Sequence, residues 1–312
     1  MKKWAPLLGL SLVALAAWIL AGRLRAIEFE EILEQLRSQP GSVVLAAIAC
    51  SAGVYALVGV YEGLALRLVS GRRMFLLPLR TALIANPIGR ALGIAIVSSG
   101  ALRYRMYSAA GIPARQVAAL IIVTAMPYVF AVGWLIDLSL LLHPRAAGTA
   151  LRIPAAAIIV LALAGLTKDI GWLAFVAVRR RPLELGGRQV PLPSLPHCLL
   201  QIAVGLAQIS LMTATLYVFM PEELGMTWPA FVAIYCIAFV AGQISNVPAG
   251  LGVLEAALLL MLPQVPPAKL LGAVLAYRAV YEVLPLLLAL LLLLLHELTS
   301  RTGWIRKRIE DR

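Results

Sequence analysis

The residues of this sequence that could do chemistry are the charged side chains inside its long apolar runs. They are Glu62, Arg90, Asp137, Lys168 with Asp169, Glu255, Arg278 and Glu282. On insertion scales each costs roughly 2.5–3.5 kcal/mol at the centre of a membrane helix, so each needs a partner or a polar cavity. Arg278 and Glu282 stand four residues apart, on one helix face, with Tyr277 and Tyr281 beside them. An arginine fork suits a phosphate through two parallel hydrogen bonds, and carboxylates suit an ammonium. With Glu255 opposite, the group reads either as an ion pair of little net worth or as a cavity for a zwitterionic or cationic phospholipid headgroup. Lys168-Asp169 reads as an internally neutralised pair, Glu62 as a group near a helix end that reaches lipid headgroups, and Asp137 as a residue near the outer end of its helix.

Two interruptions must position these residues. The stretch Gln243 to Glu255 carries Asn246, Pro248, Gly250 and Gly252, and the stretch Asn86-Pro87-Ile88-Gly89-Arg90 breaks an earlier apolar run. Proline and glycine stop a helix, and interrupted backbone at bilayer depth is tolerated only where protein or a water-filled cavity surrounds it. Paired interruptions in two halves of a membrane protein point to a binding site at the midplane. Asn86, Pro87 and Gly89 are therefore expected at one hairpin tip, and Pro248, Gly250 and Gly252 at the other. About ten residues flank Asn86-Pro87 on each side, giving arms of ~15 Å, or half a bilayer.

The rest of the 312 residues supports this frame. The chain is 62% hydrophobic and 13% charged, with mean hydropathy +0.92, which excludes a soluble globular domain. Apolar segments run over 4–21, 43–66, 76–97, 117–142, 153–178, 199–220, 229–262 and 270–295. The fold class expected is an all-α polytopic membrane protein, with about six full transmembrane helices and two re-entrant hairpins in an inverted repeat. It forms a single domain: an anchor and amphipathic surface helix over 1–41, a first repeat over 42–142, a connecting helix over 153–178, a second repeat over 195–296 and a basic tail over 297–312. Residues 191–196 read as a loop.

The net charge of +12 is explained by topology instead of nucleic acid. With the N-terminus inside and both broken segments entering and leaving by one face, 18 of the 27 Lys and Arg fall inside and 6 outside, with Arg90, Lys168 and Arg278 at membrane level. If both segments crossed fully, the split would be 13 to 11. Both termini are thus expected in the cytoplasm of a bacterial cell with the chain in its inner membrane. Cys50, Cys198 and Cys236 lie far apart in apolar segments without ligand spacing. His143, His197 and His296 sit at span ends. No metal site, cofactor, P-loop or catalytic constellation follows, and the chain is not expected to be an enzyme.

Arg103 and Arg105 follow the first interruption, with Tyr104, Tyr107 and Ser108. They read either as positive-inside anchors or as residues that admit a lipid phosphate from the inner leaflet. Gly100 with Arg103-Tyr104-Arg105 and Tyr107-Ser108, then Ser245-Asn246 with Pro248, Gly250, Gly252 and Glu255, then Tyr277-Arg278, Tyr281 and Pro285 resemble the lysylphosphatidylglycerol synthase transmembrane family. This is the integral membrane part of the multiple peptide resistance factor and its stand-alone relatives. The resemblance covers roughly residues 43–295 and implies a flippase that moves aminoacylated phosphatidylglycerol from the inner to the outer leaflet. No counterpart of the full-length factor's soluble transferase domain is expected in this chain, and so no synthase activity. The expected substrate-binding residues are Arg103, Arg105, Asn246, Glu255, Tyr277, Arg278, Tyr281 and Glu282. Membrane phospholipids are the expected partners, with a separate lipid-synthesising enzyme and a second copy of the chain as further ones. The alternative is a non-transporting accessory subunit of an envelope-lipid or polyprenyl-linked glycan pathway. A small-solute symporter and an intramembrane lipid-modifying enzyme are the weaker readings.

Overall fold

The computed structural model describes residues 37–92, 95–179, 183–185, 188–190, 193–245 and 247–295. The anchor and surface helix expected over 1–41 lie outside the described residues except for 37–41, as do the basic tail and Asn246.

Helix α1 (Gly41–Ser70) is followed by α2 (Leu76–Ala91), α3 (Ala95–Ala109) and α4 (Ala114–Leu142). A short α5 (Pro144–Leu151) turns the chain into α6 (Ala155–Val178). After a two-stranded antiparallel hairpin, β1 (Leu183–Leu185) and β2 (Arg188–Val190), come α7 (Leu195–Tyr217), α8 (Trp228–Ile244), α9 (Val253–Met261) and α10 (Pro267–Arg278). A π-helical turn, Ala279–Val283, follows α10. Five spans among the described residues are long and apolar enough to cross a membrane: α1, α4, α6, α7 and the run Pro267–Leu295. The protein is an α-helical polytopic membrane protein. At 1.5 Å per residue α1 and α4 reach about 45 Å, beyond the ~30 Å of hydrocarbon, so they tilt or project. The β-hairpin was not expected from sequence; it precedes the loop expected over 191–196, whose last two residues, Leu195 and Pro196, already open α7.

Both interrupted segments fold as hairpins, but the first break falls later than expected. Helix α2 continues through Asn86, Pro87, Gly89 and Arg90 and stops at Ala91, so Asn86 and Pro87 do not form the tip. Proline removes one backbone donor and no more, which a membrane helix tolerates when neighbours compensate. The Asn86 amide donates to the Ala82 carbonyl one turn back, at 3.0 Å, and Pro87 itself is buried. The arms are accordingly longer than half a bilayer, about 24 Å for α2 and 22 Å for α3.

The second break lies where expected. Helix α8 ends at Ile244 and α9 restarts at Val253. Between them Ala249, Gly250 and Gly252 adopt left-handed backbone, with φ of 52°, 61° and 79°. Glycine meets that demand freely, whereas Ala249 carries strain of order 1–3 kcal/mol. The break folds back on α8, with a Cβ built at Gly250 coming within 3.1 Å of the Gly242 Cα.

Packing follows small residues. A Cβ at Gly59 would meet the Leu79 backbone at 2.9 Å, which brings α2 against α1. Antiparallel α4 and α6 meet along one seam: Phe130 stacks on Trp172 with centroids 4.8 Å apart, Gly133 faces Lys168 and Asp169, and Gly165 faces Asp137. Lys168 pairs with Asp169 at 3.0 Å, as expected. The Ser139 hydroxyl enters the first turns of α8, donating to the Pro229 carbonyl at 2.6 Å and accepting from the Ala233 amide at 3.2 Å. On α7, Gly205 admits Ala131 of α4, with a Cβ there only 2.7 Å from the alanine's.

Overfilling such a contact costs about 1–3 kcal/mol. Gly205→Leu is expected to lower the midpoint of thermal unfolding in detergent, and Ala131→Gly in the same chain to recover part of the loss. Fluorescence-detected size-exclusion chromatography after heating reads both.

Candidate functional site

Arg278 leaves the last turn of α10 and is 3% exposed. Its Nε donates to Glu255 Oε1 at 2.6 Å and its Nη2 to Glu255 Oε2 at 3.0 Å, a bidentate pair. Its Nη1 donates to Glu282 Oε2 at 2.9 Å and to the Ala249 carbonyl at 3.2 Å, and its Nη2 also to the Gly250 carbonyl at 3.4 Å. All five guanidinium hydrogens therefore have acceptors within the protein. Glu255 is itself held, because its Oε2 accepts from the Gly252 amide at 2.9 Å, an acid at a helix N-terminus where exposed N–H groups favour it. Coordination of a phosphate by Arg278 would require breaking this web.

A second bidentate pair lies in the first half. Arg103 of α3 donates from Nε and Nη2 to the two oxygens of Glu62 on α1, at 3.1 and 3.2 Å, and from Nη2 to Asn86 Oδ1 at 3.1 Å. The Tyr107 hydroxyl adds 2.9 Å to Glu62 Oε1. Glu62 is 1% exposed, so it does not reach headgroups as the sequence suggested. It neutralises Arg103 within the fold.

Beside the Glu62–Arg103 pair lies a chamber of about 260 Å³. Glu62 and Tyr61 of α1, Asn86 and Arg90 of α2, and Ser99 and Arg103 of α3 form one side. Thr124 and Tyr128 of α4, Gln208 of α7, and Phe239 and Gln243 of α8 form the other. A smaller compartment of about 20 Å³ continues from Arg90, Phe239 and Gln243 to Ala249, Gly250, Tyr277 and Glu282. Arg90 thus stands between the two hairpins, its guanidinium carbon 4.8 Å above the Tyr281 ring. Such contacts contribute ~2 kcal/mol when desolvated.

The floor beyond Arg90 is aromatic. Tyr281 and Tyr277 stack with centroids 5.2 Å apart, Tyr277 meets Tyr235 edge-on, and their hydroxyls lie 2.7 Å apart. Phe231, Tyr235 and Phe239 continue this array along α8 at four-residue spacing. The π turn is tied to the first half. Ser51 and Tyr55, one turn apart on α1, donate to the carbonyls of Val280 and Tyr281 at 3.2 and 3.3 Å. A π turn redirects helix carbonyls and recurs at functional sites.

Of the residues expected from sequence, Arg103 lines the chamber and Tyr277 and Glu282 the smaller compartment. Arg278 and Tyr281 stand behind them, in contact with residues that line these spaces, and Glu255 is held by Arg278. Arg105 is half-buried on α3 and is not among the described residues lining the chamber, and Asn246 lies outside the described residues. Sequence reasoning counted Arg90 among the membrane-level charges but left it out of the substrate-binding set, and it did not single out Tyr61, Gln208 or Gln243. The glutamines carried a readable signal, since Gln201 and Gln208 are amides seven apart, on one face of a predominantly apolar helix.

The comparisons accord with this architecture. No family model matches the chain. It is 32% identical over 209 residues to the uncharacterized protein slr0712 of Synechocystis, a match covering 65% of this chain and 63% of that protein, and so less than two thirds of the relative's length. It is 25% identical over 285 residues to the inner membrane protein YbhN of Escherichia coli, covering 88% of this chain and 86% of that one.

Removing one partner of a buried pair costs about 3–5 kcal/mol, because the other charge is stranded. Arg278→Met is expected to depress the unfolding midpoint in detergent strongly. Adding Glu255→Gln and Glu282→Gln should restore much of it. A triple variant no more stable than Arg278→Met would show that the arginine acts by some means other than neutralising these acids.

Proposed function

We propose that this chain is a bacterial inner-membrane lipid transporter that carries phospholipid headgroups between leaflets through the chamber between its two hairpins. The observation that carries the reading is the chamber itself. Charged, hydroxyl and amide side chains from helices of both halves stand in its otherwise apolar wall, and the smaller compartment beside it is bordered by broken backbone whose Ala249 and Gly250 carbonyls are satisfied by Arg278. Its volume suits a headgroup and excludes two acyl chains, which stay in the bilayer while the headgroup crosses. Each half runs helix, hairpin, helix, the order that an inverted repeat requires, and alternating access then comes from rocking one half against the other. The resemblance to the lysylphosphatidylglycerol synthase transmembrane family supports lipid as the cargo. The likeness to an inner membrane protein of E. coli and the basic loops support that location with cytoplasmic termini.

Liposomes containing the purified protein and labelled phospholipids test this by the rate at which label becomes accessible to an external quencher. The wild type is expected to exchange lipid faster than empty vesicles. Ala125→Trp, on the chamber wall, should slow exchange about tenfold or more while the protein still elutes as a folded species. Wild-type exchange no faster than in empty vesicles would remove the transporter reading in favour of an accessory subunit.

A further inference from the structure

The resemblance in sequence implies a cationic, aminoacylated headgroup; the geometry points elsewhere. Both oxygens of Glu62 accept from Arg103, and one of them also from Tyr107. Both oxygens of Glu255 accept from Arg278, and one also from the Gly252 amide. Three of the roughly four acceptor sites of each carboxylate are taken and its charge is already neutralised by an arginine, so neither offers an ammonium an uncompensated negative charge. Glu282 gives one oxygen to Arg278, and its other side faces the compartment of about 20 Å³, room for about one water and too small for a lysyl group.

The main chamber has the opposite bias. Its described charged lining is Glu62, Arg90 and Arg103, a formal charge of +1, of which Glu62 and Arg103 cancel. No carboxylate among the described residues pairs with Arg90. Its guanidinium lies against Tyr281, over the ring and within hydrogen-bonding reach of the hydroxyl, and a guanidinium has five N–H donors, more than one tyrosine can use. The Tyr61 side chain is 5% exposed, lines the same chamber, and its hydroxyl has no partner among the described residues. A buried polar group is ordinarily satisfied, so a hydroxyl of this kind on a residue that lines a cavity is open to a ligand atom. Gln208 and Gln243 add neutral amides.

Resting on the lipid-transport reading and narrowing it, we infer that the chamber binds an anionic phosphate ester, with Arg90 as its phosphate ligand and the Tyr61 hydroxyl and the glutamine amides serving a neutral, hydroxylated substituent. Arg103 and Arg278 are positioning residues that hold the hairpins. The favoured lipid class is anionic and glycerol-bearing, not cationic.

Native mass spectrometry of the detergent-solubilised protein, offered phosphatidylglycerol and lysylphosphatidylglycerol in equal amounts, reads binding apart from transport. The wild type is expected to retain phosphatidylglycerol about tenfold or more over the lysyl lipid. Arg90→Ala should lose that preference, and Arg90→Lys, which keeps the charge without the fork, should fall between. If Arg90→Ala fails to fold, the wild-type preference and the Arg90→Lys value decide. Equal retention of both lipids by the wild type, or undiminished preference in Arg90→Lys and Arg90→Ala, overturns the assignment. If the wild type exchanges no lipid in liposomes yet shows the Arg90-dependent preference, the transporter reading fails and the anion site stands. If soluble glycerol phosphate at equal concentration displaces phosphatidylglycerol, the site still takes the phosphate ester, but from a soluble source, and the lipid reading falls.

Discussion

The structure depends on one guanidinium. Arg278 gathers a carboxylate from α9, a carboxylate from its own helix and two carbonyls from the interrupted backbone at Ala249 and Gly250. Without a donor there, those carbonyls would sit unpaired in a region where each unsatisfied group costs several kcal/mol. Two acids on different elements would also lose their counter-charge. The arginine is affordable in the membrane only because all five of its hydrogens are used, and the left-handed Ala249 is tolerated because its carbonyl is captured.

The first half solves a related problem with signs exchanged. In the second half the hairpin arm supplies the acid, Glu255, and the following helix the arginine. In the first half the hairpin arm supplies the arginine, Arg103, and the preceding helix the acid, Glu62. Each pair fastens the second arm of a hairpin to a membrane-length helix, so both hairpins are braced from outside. The space between them remains open because the charges that could have collapsed across it are already satisfied on either side. Arg90 is the exception, a cation on the seam that lies among tyrosines and beside a cavity instead of against a carboxylate of the described residues.

The halves are coupled by contacts of long sequence separation. Ser51 and Tyr55 hold the π turn, Ser139 enters the start of α8, and Gly205 lets α7 lie close to α4. A relative movement of the halves must exchange the first two sets of hydrogen bonds for others. The aromatic array from Phe231 to Tyr281 has no such directional bonds except the Tyr235–Tyr277 hydroxyl pair, and rings can slide where hydrogen bonds must break.

Composition and patterning determined by themselves that the chain crosses a membrane, that its spans lie near where they are found, and that two of its apolar runs turn back. These follow from local physics: hydrocarbon demands apolar length, and clustered glycines around Pro248 cannot continue a helix. The Arg278–Glu282 spacing likewise made their contact legible, since four residues is one helical turn. Only the tertiary structure decided that Pro87 stays within a helix, because that depends on neighbours supplying what proline removes. It alone decided that Glu62 belongs to Arg103 across 41 residues of sequence, that the arginines suited to a phosphate are spent on glutamates, and that Arg90, Tyr61 and Gln208 share one chamber. A side chain's charge is written in the sequence, but whether that charge is available depends on what the fold brings within 3 Å of it.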